Sequence, residues 1–177
     1  MDWSKAKTIL IIALLIVCIL LGSLLGIKEI ERKKLDASTL EQTKKYLESL
    51  EIEYNKDIPL SRPLLPVLFV EYKGGETKTE NPSYKGYPVC GGSETEMPCS
   101  IKEAGKKKAR IMSASAALLQ FIGDLHGDTD GLSIENISLI YYIDNSLYAE
   151  SSGNDTAIPT WKIESSAGNY YINAYSQ

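Results

Sequence analysis

The stretch TILIIALLIVCILLGSLLGI begins at Thr8, ends at Ile27 and contains no charged residue. About 20 helical residues, each adding 1.5 Å, span the ~30 Å hydrocarbon core of a bilayer. A cleaved signal peptide has a shorter apolar region of roughly 7–15 residues, followed by a small-x-small exit. No such exit stands out around Gly22, Ser23 and Gly26. Residues 8–27 are therefore predicted to form an uncleaved anchor in the lipid bilayer.

Basic residues lie on both sides of this anchor. Residues 1–7 form a short amino-terminal segment with Lys5 and Lys7, and residues 28–37 form a predicted juxtamembrane linker. The linker contains the basic residues Lys28, Arg32, Lys33 and Lys34. Cytoplasmic flanks carry the excess of Lys and Arg, but a long domain can cross regardless of such charge. The charge count therefore leaves the orientation open, while Trp3 suits the aromatic belt at the membrane surface.

Gly22, Ser23 and Gly26 form a small-xxx-small pattern within the anchor. Such a pattern is typical of a face that packs against another membrane helix. Small residues are also common in membrane helices that face lipid. Both interpretations, a helix-packing face and a plain lipid-facing anchor, stay open from the residues alone.

Residues 38–177 are predicted to form one α+β domain, with helices packed on an antiparallel sheet. The chain has 44% hydrophobic residues among its 177, which is enough for a core beyond the anchor. Two similar halves are expected, at about 38–100 and 101–177, each with a helix, a long strand and a hairpin. A net charge of -4 argues against a nucleic-acid surface.

In the first half, Ser38 and Glu41 fit a capping box, which predicts a helix up to about Leu50. An edge strand is expected at 51–54 and a buried strand at 67–72. Residues 74–100, rich in Gly, Pro, Glu and Thr, are predicted to be loop or irregular hairpin.

In the second half, a short strand is predicted at 106–112, and Ser113 is a natural N-cap. The next helix has an apolar stripe at helical spacing: Ala117, Leu118, Phe121, Ile122 and Leu125. Alternation at 137–143 predicts a strand with one face on a core. Two further strands, at 161–164 and 169–175, are expected to be joined by a turn at Ala167 and Gly168.

The second half contains a group of tyrosines and a group of basic residues, and each group has two interpretations. The tyrosines cluster in the last third of the chain, at Tyr141, Tyr142, Tyr148, Tyr170, Tyr171 and Tyr175. They suit either an interface or ordinary strand positions. Lys106, Lys107 and Lys108 with Arg110 could attract anionic wall polymer or lipid head groups, although a solvated strand face also explains them.

The sequence offers little support for a catalytic site or a metal site. Cys90 and Cys99 could close a small disulfide loop in an oxidising compartment, and two free thiols are nearly as compatible with their spacing. The loop at 126–131 has an Asp-x-Asp-Gly core, but His126 would stand at the first calcium ligand and Ile137 at the last. No GxSxG motif occurs. We therefore predict no catalytic residue, no cofactor, no metal site and no small-molecule substrate.

Two parts of the chain resemble a known family. The opening Met1-Asp2-Trp3-Ser4-Lys5-Ala6-Lys7-Thr8-Ile9 runs directly into the anchor and closely resembles the start of the YycI family of regulatory membrane proteins. Three carboxy-terminal pieces resemble the last strands of YycI and of related PepSY-like modules: Ile140-Tyr141-Tyr142, Pro159-Thr160-Trp161-Lys162-Ile163 and Tyr170-Tyr171-Ile172-Asn173-Ala174.

The resemblance implies a single-pass protein of the cell membrane, with a cytoplasmic amino terminus and an extracytoplasmic domain. It implies a non-enzymatic protein that works with a YycH-like partner to modulate a YycG/WalK-like sensor histidine kinase, part of a two-component system that controls cell-wall metabolism in Gram-positive bacteria. The alternatives are a free-standing PepSY-like exported module, which inhibits a protease or binds an envelope ligand, and a pilin-like subunit.

Overall fold

The fold was established from a computed structural model, which describes residues 3–54, 58–72, 82–91, 99–125, 129, 131–143 and 154–175. The chain divides into two compact units, Met1–Thr39 and Leu40–Gln177. The described elements, in chain order, are α1 (Trp3–Ser49), β1 (Glu53–Tyr54), β2 (Leu64–Tyr72), β3 (Ser83–Tyr84), β4 (Tyr87–Gly91), β5 (Cys99–Arg110), α2 (Ala114–Asp124), β6 (Ser133–Ile143), β7 (Asn154–Ser165) and β8 (Gly168–Asn173).

Helix α1 is longer than predicted, because it runs without a break through the expected linker at 28–37. The predicted helix start at Ser38 is wrong, since this residue lies inside α1. Residues 28–49 contain neither Gly nor Pro, so each added residue gains a hydrogen bond at low cost and the helix propagates. The hydroxyl of Thr39 accordingly donates to the main-chain oxygen of Leu35, at 2.9 Å.

The second unit is built on one sheet of mixed direction, which confirms the α+β fold class. The strand order is β3-β4-β6-β7-β2-β5, with β1 also paired to β6 and β8 to β7. The β1–β6 and β4–β6 pairs are parallel, and the other pairs are antiparallel. Strand β2, from the first predicted half, lies between β5 and β7 from the second. The two halves therefore share one interleaved sheet.

Several strands extend beyond their predicted limits. Strand β2 begins at Leu64 rather than at residue 67 and includes the buried Pro66. Strand β5 fills 99–110, and residues 111–113 connect it to α2. A hairpin of β3 and β4 occupies part of the expected loop. Its two turn residues, Lys85 and Gly86, have φ angles of 52° and 84°, as a type I′ turn requires.

The predictions for α2 and the last hairpin are confirmed. The Ser113 side chain accepts a hydrogen bond from the amide of Ala116, at 3.2 Å, and so caps α2. Four of the five residues of the apolar stripe are buried: Ala117, Leu118, Phe121 and Ile122. Strands β7 and β8 pair as predicted, with Ser165 opposite Gly168. Strand β7 begins at Asn154 rather than at residue 161, β8 ends at Asn173 rather than at residue 175, and the turn lies at 166–167.

The core of the second unit lies between the helices and one face of the sheet. It contains Leu47 from the end of α1, Leu118 and Phe121 from α2, and Tyr141 and Trp161 from the sheet. Trp161 also uses its one polar group, because Nε1–H donates to the main-chain oxygen of Met112 at 3.1 Å. Burial of these large side chains supplies the main stabilisation, at about 25 cal/mol per Å² of apolar surface removed from water.

Candidate interaction sites

The first candidate site is the apolar part of α1. Its large side chains from Leu10 to Ile27 are each at least 52% exposed within the chain. Helix α1 is long and apolar enough to cross a membrane. Exposing so many Leu and Ile side chains to water would be unfavourable, at about 1.5–3 kcal/mol each relative to burial. A single membrane-spanning helix is consistent with this surface.

The small residues of the anchor leave one patch of this helix without side-chain bulk. A Cβ atom added at Gly22 or Gly26 would meet no heavy atom within 4 Å. These two glycines are four residues apart and therefore share one side of the helix. The nearby Ser23 hydroxyl donates to the main-chain oxygen of Leu20, at 2.8 Å, so its polar group is satisfied within the helix. A second helix could approach closely at this small-residue patch.

The second candidate site is the outer face of the sheet, on the side away from the core. The rings of Tyr142 in β6 and Tyr171 in β8 stack there across β7, with centroids 4.5 Å apart and planes at 23°. Ile140 and Thr160, which are partners in the β6–β7 register, share this face and are only 3% and 2% exposed. The outer face thus carries the half-buried aromatic pair of Tyr142 and Tyr171 over a floor, defined as the buried residues Ile140 and Thr160.

An ion pair borders these aromatic residues. Lys162 and Glu164 of β7 approach to 2.9 Å, and their side chains are 22% and 33% exposed. Side chains two residues apart on a strand point to the same face. The outer face therefore combines an aromatic pair and a buried aliphatic group with a paired lysine and glutamate. Of these, the aromatic residues are the type enriched at interfaces between proteins.

The remaining tyrosines divide differently from these two. Tyr141 is fully buried, and its hydroxyl donates to the main-chain oxygen of Pro66. Tyr175 donates to the main-chain oxygen of Leu65 at 2.9 Å, and Tyr170 packs its ring 4.6 Å from that of Phe121. These three tyrosines serve the core, whereas Tyr142 and Tyr171 serve the outer face. Tyr148 lies outside the described residues.

The two cysteines of the sheet domain are free thiols in the structure. Cys90 is half-buried in β4, and Cys99 is buried at the start of β5. Burial raises the pKa of both thiols, and Lys162 opposes that rise at Cys90. The thiolate, which is the form that attacks a disulfide or an electrophile, is thus disfavoured at both positions. The disulfide between them stays a prediction.

The described residues offer little reactive chemistry. They contain no group of three or more His, Cys, Asp or Glu side chains that could hold a metal ion. Every buried side-chain nitrogen or oxygen among them has a hydrogen-bond partner. His126 and the acidic residues that follow it in the sequence lie outside the described residues. Trp3 begins α1, and its place at the membrane surface stays a prediction.

The sequence did not predict that Ile140, in the floor of the outer face, is buried. Ile140 falls at an expected polar position of the alternating strand, between Leu139 and Tyr141. That interruption of the alternation was the one available signal that both faces of β6 are covered.

No model of a known protein family matches this chain, and no curated protein matches it at a significant level.

Proposed function

We propose that the protein is a non-enzymatic accessory regulator of a membrane sensor histidine kinase of the YycG/WalK type, in the cell membrane. The observation that carries the proposal is the apolar helix with its bare patch at Gly22 and Gly26. Helices associate in a bilayer through close backbone packing at small residues, because lipid tails leave no hydrophobic driving force between helices. Such packing would let this anchor alter a kinase helix without any reactive group.

A YycH-like protein is the proposed partner of the sheet domain, on the extracytoplasmic side. The stacked pair of Tyr142 and Tyr171 supports this part of the proposal. Tyrosine rings bury area at an interface while their hydroxyls keep polar partners, at a low cost in side-chain entropy. The opening residues of the chain, with their resemblance to YycI, are the ground for naming this class of partner.

The proposed complex can be tested by crosslinking in native membranes. A carboxy-terminal tag would retrieve the full chain, and mass spectrometry would identify the crosslinked proteins. We expect a YycH-like protein and a sensor histidine kinase. Recovery of pilus components, or of a protease without any kinase, would contradict the proposal and favour the pilin-like or PepSY-like alternative.

The role of the anchor can be tested separately by replacing it. An unrelated membrane helix in place of residues 8–27 should abolish kinase regulation while the sheet domain stays folded. A matched variant of the same unrelated helix that retains Gly22, Ser23 and Gly26 at their positions should recover part of the regulation. Equal regulation by the unrelated helix would show that the anchor does not carry the signal.

The proposed orientation has its own readout. Protease added to intact protoplasts should remove a carboxy-terminal tag and spare an amino-terminal tag, since the proposal puts residues 1–7 in the cytoplasm. The reverse pattern would contradict an extracytoplasmic domain, and with it the contact with a YycH-like partner.

A further inference from the structure

Strand β5 concentrates positive charge at one end of the strand order. It contains the basic residues Lys102, Lys106, Lys107, Lys108 and Arg110 and the single acidic residue Glu103, in a chain whose net charge is -4. Among the strands described, β5 pairs with β2 and ends the order of the sheet. Lys102 is paired with Glu71 of β2, at 3.3 Å.

An irregularity in β5 brings three lysines to the surface together. Between the pairs Leu68–Ala104 and Pro66–Lys108, one residue of β2 faces three residues of β5. Gly105 makes this bulge possible, because a Cβ atom there would lie 3.0 Å from the main-chain oxygen of Val67. In a regular strand, consecutive side chains would alternate between the two faces.

The bulge instead leaves the side chains of Lys106, Lys107 and Lys108 all exposed. No ion pair joins these three lysines to another residue in the described part of the chain. The basic cluster, defined as these three lysines, therefore presents positive charge that no described acidic side chain pairs with, on a protein that is acidic as a whole.

We infer that the basic cluster is a docking surface for the anionic phosphate headgroups of a lipid bilayer. Lysine side chains suit a diffuse negative surface, because each ammonium is a compact charge on a flexible stem that needs no built pocket. A bilayer is favoured over a soluble polyanion because the same chain carries a helix able to cross a membrane. The inference rests on the membrane anchoring in the proposed function and is independent of any kinase.

The test measures the rate at which an amine-selective reagent modifies each lysine of the full chain. The chain is reconstituted in nanodiscs of phosphatidylcholine alone or with one part in three of phosphatidylglycerol. We expect the anionic lipid to slow modification of the basic cluster about fivefold, and salt near 0.5 M to abolish the difference. Lys45 and Lys85, which are exposed elsewhere in the same unit, are internal controls whose rates should not change.

Two double variants sharpen the result. Lys107→Gln with Lys108→Gln should remove most of the protection of Lys106, since the remaining charge attracts the surface only weakly. Lys45→Gln with Lys85→Gln removes the same amount of charge and should leave that protection intact. Loss of protection in both variants would overturn the inference, because net charge and not the cluster would then be responsible.

The other outcomes are also decisive. Equal modification rates in both kinds of disc would overturn the inference and leave the cluster as an edge-strand device against aggregation. Protection by added inorganic polyphosphate in neutral discs, without protection by the anionic lipid, would overturn the lipid source in favour of a soluble polymer. A chain that fails to co-elute with discs would contradict the anchoring itself, a result distinct from the loss of headgroup contact.

Discussion

The hydroxyl of Tyr141 donates a hydrogen bond to the main-chain oxygen of Pro66 over 3.1 Å, in the interior of the sheet domain. These residues lie in β6 and β2, which are separated by β7 in the sheet. The bond therefore fastens two strands that are not neighbours and that lie 75 positions apart in the chain. Its loss should leave a buried carbonyl without a partner.

The change Tyr141→Phe should lower the free energy of unfolding by about 1–3 kcal/mol, because the Pro66 oxygen loses its partner while the ring volume is kept. Denaturant unfolding of the full chain in detergent, followed by tryptophan fluorescence, measures the loss. Tyr46→Phe is the control, since that ring is 46% exposed, and it should change stability by less than about 0.5 kcal/mol. Equal losses in the two variants would contradict a special role for the buried bond.

Alkaline pH should destabilise the sheet domain. Burial, followed by the neighbouring Tyr175, Tyr84 and Tyr87, raises the pKa of Tyr141, and burial raises that of Tyr175. A raised pKa in the folded state means that ionisation favours the unfolded chain, so the stability is complete below about pH 10 and falls above it. Tyr141→Phe should make the loss of stability with rising pH shallower. Unfolding is measured between about pH 9 and about pH 11, which is one unit either side of the ordinary pKa of tyrosine. An unchanged slope would contradict the assignment.

Gly105→Ala should destabilise the protein by about 1–3 kcal/mol, because the new Cβ would crowd the main-chain oxygen of Val67 at 3.0 Å. Gly123→Ala is the matched control in α2, where an added Cβ meets nothing within 4 Å. That change should stabilise the helix by about 0.5–1 kcal/mol. Thermal unfolding of both variants distinguishes crowding from a general effect of alanine.

Gly22→Leu with Gly26→Leu should weaken association of α1 with a partner helix, since the added side chains prevent close approach of the two backbones. Energy transfer between labelled helices in vesicles measures that association. Ala13→Leu is the control, because it lies nine residues before Gly22 and so on the opposite side of the helix. If association survives the double change and falls with Ala13→Leu, the partner helix contacts the opposite side of α1, and the prediction is wrong.

Cys90 and Cys99 should react more slowly with iodoacetamide at pH 8 in the folded protein than in urea, because burial raises the pKa of both thiols. Peptide mass spectrometry quantifies the two sites independently. Equal rates in the folded and unfolded chains would contradict the burial. Cysteines that react only after a reductant is added, even in urea, would instead establish a disulfide between them.

Local signals explain the parts of the fold that could be predicted. The hydroxyl of Ser113 and the apolar stripe that follows it define α2 within four turns of chain, and the Gly168 turn defines the last hairpin. The capping-box prediction at Ser38 failed for an equally local reason, since nothing before that residue stops the helix. A capping motif marks a start only where the preceding chain leaves the helix.

The candidate sites likewise combine features that local sequence signals predict with features that they do not. The apolar anchor and its small residues could be predicted from the sequence. Which tyrosines lie in the core and which lie on the outer face could not. Tyr141 and Tyr142 are adjacent in the sequence, yet one is in the core and the other on the outer face. Which face of β6 meets the helices depends on the pairing of strands that are distant in the chain.

The sequence by itself determined where an apolar helix runs, where α2 is capped and which segments alternate as strands, because these properties depend on neighbours within a few residues. Only the tertiary structure decided that β2 lies between β5 and β7, that Gly105 permits a bulge and that three consecutive lysines are exposed there. Strand order and register are settled by the total burial and hydrogen bonding of the whole sheet, which no local stretch of sequence specifies.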